Sequence, residues 1–141
     1  MADPRLSVSQ VGVDPLYATF KIDNSTITYS ATTSGGSAQV GLAVGMSADS
    51  TVELVGDAEE VIGKLIKVES DNMATVQIGG GMTLAAGTGA SLTRGKKIVG
   101  DLLIAAEGYI REVNTAQAAE LGVARGFICD GGTTTAVEVI L

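Results

Sequence analysis

The feature that most constrains this fold is a long run that occurs twice. Residues 61–80 read VIGKLIKVESDNMATVQIGG, and residues 121–141 read LGVARGFICDGGTTTAVEVIL. Gly63 recurs as Gly122 and Asp71 as Asp130 at one common spacing, and the closing run at 75–78 recurs slightly later as 136–139. Each copy is an apolar stretch, a turn of Asp-Asn or Asp-Gly-Gly type and a second alternating stretch, which is the pattern of a β-hairpin.

The repeat continues upstream. VGLAVG at 40–45 precedes the first copy and KIVGD at 97–101 the second, while TVELV at 51–55 corresponds to YIREV at 109–113. Asp57 with Glu60, and Asn114 with Gln117, have the spacing of a capping residue and its reciprocal partner, so each pair is expected to open a helical turn. Each half therefore reads strand, strand, short helical turn, strand, hairpin, strand. Two copies are too few for a solenoid, which needs about three units. The expected fold is mainly β: one compact barrel or sandwich of pseudo-repeats spanning about 40–84 and 95–141, with GGGMTLAAGTGASLTRG at 79–95 as the crossover and 82–84 finishing a strand of the first half.

Residues 1–39 match neither copy and hold both prolines, Pro4 and Pro15. Ser and Thr crowd 19–37, interrupted by Leu16, Tyr17, Phe20, Ile22, Ile27 and Tyr29. A short strand is expected at 26–30 and a flexible Ser/Gly link at 32–37. Two readings fit this stretch: an extended arm that pairs with the sheet edge of another chain, or an extra edge strand of its own domain. On the arm reading, the body is 40–141 and those six apolar residues form the anchoring set.

Catalytic and metal chemistry finds few candidates. The chain has no His, which removes the commonest general base and metal ligand, and its one cysteine, Cys129, excludes a Cys-based zinc site. Cys129 is expected to be a small core residue. Asp57, Glu59 and Glu60 cluster where a helix N-terminus favours acids, and Asp71 and Asp130 fall on hairpin turns that use Asp for its backbone hydrogen bonds. The Gly-rich run before Lys96 fails as a phosphate loop: Ala90 stands where the first Gly belongs and Lys97 where Ser or Thr should be. Net charge is −7, so direct nucleic-acid binding is not expected, and RGKK at 94–97 reads as a solvated loop. No apolar run approaches the roughly 18 residues of a membrane span, and no signal peptide or cofactor motif is read.

The runs at 41–46 (GLAVGM), 61–66 (VIGKLI), 74–80 (ATVQIGG) and 122–128 (GVARGFI) carry a resemblance. The chain resembles the small capsid decoration, or cement, proteins of tailed bacteriophages. That resemblance implies a β-tulip-like body, a homotrimer on the outer surface of the virion capsid, and an N-terminal arm that joins a strand of the major capsid protein. It also implies no enzymatic activity and synthesis in the host cytoplasm. Two alternatives are a tail or spike component, and a small-ligand or glycan-binding β-domain. The second must work with few aromatic platforms, because only five residues are aromatic, Tyr17, Phe20, Tyr29, Tyr109 and Phe127.

Overall fold

The computed structural model describes residues 15–87, 91–103, 106–130, 132–133 and 136–141. The protein is mainly β, and its first half is a closed five-stranded barrel. Its strands are β1 (Leu16–Ile22), β2 (Ala43–Ala48), β3 (Thr51–Leu54), β4 (Gly63–Val68) and β5 (Met73–Gly79), in the order β1-β3-β2-β4-β5. Alternation drives this closure. In β3 every second residue is buried, and β5 alternates likewise up to Val76 before Gln77 is buried as well, so Val52, Leu54, Ala74 and Val76 meet Ile22, Val44, Leu65 and Val68 in one interior.

The second half repeats that order with shorter contacts. It is built from β6 (Gly81–Ala85), β7 (Ser91–Leu92), β8 (Ile98–Leu103), β9 (Ala106–Glu112), the helix α1 (Ala118–Val123), β10 (Phe127–Ile128), β11 (Gly132–Thr133) and β12 (Ala136–Ile140). β8 and β9 form a hairpin as β2 and β3 do, and β10 and β12 pair as β4 and β5 do. β12 pairs antiparallel with β6 as β5 does with β1. Ala86 bridges Ile110 of β9 in parallel, as Ile22 pairs with Val52 of β3. Ile98 bridges Arg125, and Ile128 exchanges backbone bonds with Gly95 and Lys96, as Leu65 does with Gly41 and Leu42. These contacts place the strands in the order β6-β9-β8-β10-β12, joined at β6–β9 and β8–β10 by isolated bridges and loop bonds rather than by a closed ladder, and β7 pairs with β11 beside them.

Two pseudo-repeated halves are therefore present, but their boundaries differ from the expected ones. The counterpart of β6 is β1, so the first unit begins at Leu16, and Met82–Leu84 belongs to the second unit rather than the first. β1 and β6 share almost no sequence, only a place in the strand order. That is why the repeat was visible from residue 40 onward and not before. Gly122, matched in sequence to Gly63 of β4, lies in α1 instead.

The halves meet along the chain that follows β3. Val55 is fully buried and joins Ala43 and Val61 in the core of the second half, with Leu84, Ile98, Ile110, Ile128 and Val139. Gly100 donates its N–H to the Glu59 carbonyl (2.9 Å) and accepts from Ala58 N–H (3.0 Å). A Cβ at Gly100 would collide with the Gly56 carbonyl and the Val55 side chain, so the glycine that interrupts the β8 pattern permits this close approach.

Both expected helical turns are corrected. Ala58 sits at φ +60°, which cannot continue a helix, and Glu59 accepts from Gly56 N–H (2.9 Å), one residue earlier than the expected cap. Asn114 holds Ala116 N–H (3.0 Å) in a side-chain turn, and the helix starts only at Ala118, with no side-chain cap on Gln117.

Candidate functional site

The segment expected as an arm is built into the barrel from Leu16 onward, and residues 1–14 lie outside the described residues. Ile27 is fully buried and Ile22 nearly so, both inside the first core, and Phe20 packs against that core from its edge. Leu16 and Tyr17 are 60% and 52% exposed, and Tyr29 lies at the surface against Gly36. The six residues thus divide. Leu16, Tyr17 and Tyr29 present apolar surface, whereas Ile22, Ile27 and most of Phe20 are committed to folding. The region at 26–30 is not a strand. Asp23 accepts from the N–H groups of Thr26 (2.9 Å) and Ile27 (3.0 Å) and from the Thr26 hydroxyl (2.8 Å), folding the chain so that Ile27 points inward. Burial pushes the Asp23 carboxyl up, but the hydrogen bonds from Thr26, Ile27 and Ser25 outweigh it and hold the group below its usual range. Nor is 32–37 a loose link: Ser34–Gly36 is a 3-10 turn, Ser37 is buried, and Gly36 lies against the Val68 carbonyl.

β1 itself has an unusual edge. Its whole length pairs with β5, but on the other side only Lys21 and Ile22 meet β3. Lys21 N–H donates to the Ser50 carbonyl on that side, and Ile22 N–H donates to Asn72 on the β5 side. Backbone groups alternate between edges along a strand, so those of Tyr17 and Thr19 face the same way as Lys21. There they meet no strand among the described residues. The exposed side chains of Leu16 and Tyr17 stand beside this open edge.

Charged groups elsewhere are mostly structural. Arg111 on β9 donates two bonds to the Glu120 carboxylate of α1 (2.9 and 2.8 Å) and reaches Asp57 at the junction (3.2 Å), with Asp101 at 3.8 Å. Glu120 also accepts from Asn114 N–H (2.9 Å). The Arg111 guanidinium, aided by that amide, lowers the Glu120 carboxyl to about 2, and Arg111 is itself raised. The network fastens helix, hairpin and first barrel together. Asp71 accepts from Met73 N–H (3.1 Å), as a turn aspartate is expected to, whereas Asp130 accepts from Glu138 N–H (2.7 Å) on β12 and so ties two strands instead of closing its own turn. Cys129 follows β10 and is half-buried rather than a core residue; burial pushes its thiol up, with Glu138 and Asp130 adding to the effect. No group of three metal-ligating side chains occurs among the described residues.

An open groove of about 340 Å³ is lined by Gly45, Met46, Ala58, Glu59, Glu60, Ile62 and Val123. It lies where β2, the 58–62 segment and the end of α1 converge, so no local pattern announces it. The expected solvated loop at 94–97 is indeed exposed, and a hydrogen-bonded turn fixes it to β10. Compared with protein families, with curated proteins and with solved structures, the chain matches none.

Proposed function

We propose that the chain is a capsid decoration protein of a tailed bacteriophage, which sits as a homotrimer on the outer surface of the head and ties the major capsid protein lattice together. The observation that carries this reading is the edge of β1 that no strand covers among the described residues, where the Tyr17 and Thr19 backbone groups lie beside exposed Leu16 and Tyr17. An exposed edge is a template for one more strand, and main-chain hydrogen bonds then supply affinity while side chains set register. Three copies held together would multiply modest contacts into firm attachment. The resemblance noted above supplies the particular partner, a strand of the capsid shell, and a β-rich body given over to packing and turns suits it. Native edge strands are usually blunted by charge or proline; here Pro15 and Lys21 stand at the two ends of the edge, and the positions between them, Tyr17 and Thr19, are neither.

The test is Thr19→Pro. Proline removes a donor from the open edge and leaves the β5 ladder intact, because the Thr19 N–H faces away from β5. The variant should keep its thermal midpoint within a few degrees and lose binding to heads. Unchanged decoration by a folded Thr19→Pro protein refutes the edge as the attachment site. Deleting residues 1–34, the direct test of an arm, would remove β1 with Ile22 and Ile27 and so unfold the first barrel; deletion of 1–14 is the informative truncation.

A further inference from the structure

We propose that the groove between Met46, Ile62 and Val123 receives the basic turn at 94–97 of a second copy of this chain, forming a head-to-tail contact. This rests on the homotrimer reading and names the surfaces that would build it. The groove has an apolar floor and an acidic rim. Met46 is 46% exposed, and Glu59 and Glu60 line the opening. Glu53 lies directly opposite Gly45 in the β2–β3 register, and its carboxyl is pushed up by partial burial and by Glu59, Asp23 and Glu107 around it. Negative charge is therefore crowded here, and a cation that arrived would relieve it.

The turn at 94–97 is the matching piece. Three of the nine Lys and Arg residues of an otherwise acidic chain, Arg94, Lys96 and Lys97, fall in four positions. All three are exposed, and none forms an ion pair within the described residues. The backbone beneath them is already held. Gly95 at φ +81° donates to the Ile128 carbonyl (2.8 Å), Ile128 N–H returns a bond to Lys96 (2.9 Å), and Thr93 N–H is anchored on the Glu112 carboxylate (2.8 Å). A turn held in this way loses little further backbone entropy on binding. Phe127, next to Ile128 and 45% exposed, supplies an apolar face beside the cations to meet Met46 and Ile62.

Two different, mutually complementary patches on one chain are what a heterologous ring requires, whereas a two-fold dimer uses one patch that matches itself. Their placement also suits a small ring. Arg125 Nε lies 3.9 Å from Glu60 on the groove rim, and its carbonyl accepts from Ile98 N–H, one residue beyond the turn. The two surfaces therefore adjoin, as they must when three copies each fill a third of a circle and their contact faces converge on the axis.

Light scattering on the full chain tests this with charge reversal. Glu59 is left alone because it caps Gly56, and the groove is altered by Met46→Lys with Glu60→Lys, both at exposed positions. The turn is altered by Lys96→Glu with Lys97→Glu. Each pair alone should weaken association at least tenfold, and the chain that combines all four should recover to within about threefold of the unmodified protein, with the far-ultraviolet spectrum unchanged throughout. Trimers that persist in both single-site variants overturn the proposed contact while leaving the trimer standing. An unmodified protein that stays at 14.2 kDa at every concentration overturns both the contact and the trimer reading.

Discussion

Ile27 is the residue that most sharply separates the two readings of the N-terminal region. A side chain on a free arm would contribute little to stability, but Ile27 is fully buried among Val52, Leu54 and Val68. Ile27→Ala should therefore lower unfolding free energy by about 2–5 kcal/mol, measured by urea denaturation; a change within about 0.5 kcal/mol would return the residue to the arm. At the junction, Gly100→Ala should cost roughly 1–3 kcal/mol, since the added methyl must displace the Gly56 carbonyl and Val55. The Arg111–Glu120 pair makes a prediction in pH. Glu120 binds its proton less readily folded (about 2) than unfolded (near 4.5), so its contribution is complete above pH 4.5 and declines as pH falls toward 2. Glu120→Gln should be less stable than the natural chain at neutral pH and flatten its acid limb; identical acid limbs would mean that the pair does not contribute. Turn chemistry was legible at Asp71, which serves the amide of nearby Met73, but not at Asp130, which reaches across to Glu138 on β12. Arg111 was not, because its partners Asp57 and Glu120 come from distant positions that no spacing rule links.

Strands and hairpins carry the second lesson. The hairpins β2–β3, β4–β5, β8–β9 and β10–β12 all follow from alternation and turn residues, and the duplicated run at 61–80 and 121–141 marked two of them. The opening strand of each unit was misplaced because its role is set by strand pairing rather than by sequence likeness. β1 reads LYATFKI and β6 reads GMTLA, yet both pair with the last strand of their unit and both hand over to a parallel contact. The Ser/Thr-rich stretch after β1 looked loose for a related reason. Asp23 and Thr26 fold it through side chain–backbone bonds, including Leu54 N–H to the Thr26 hydroxyl (2.9 Å), which hydrophobic periodicity does not register. The Thr19→Pro prediction belongs here, since it distinguishes an edge that only completes the barrel from one that also accepts a foreign strand.

At the scale of the whole molecule, the two halves share one junction, held by Val55, Gly100 and the Arg111 network, and the described surface carries a strand edge that no described strand covers and a charged groove. The proposed decoration role would use both features, the edge for strand pairing and the groove for contact between copies. Co-sedimentation with expanded heads assembled without decoration is the most direct measurement of that claim. The account predicts saturable binding in multiples of three copies per site, lost on Thr19→Pro and accompanied by a rise in the temperature at which the heads fall apart. Heads that leave the folded protein in the supernatant at micromolar concentration would contradict it.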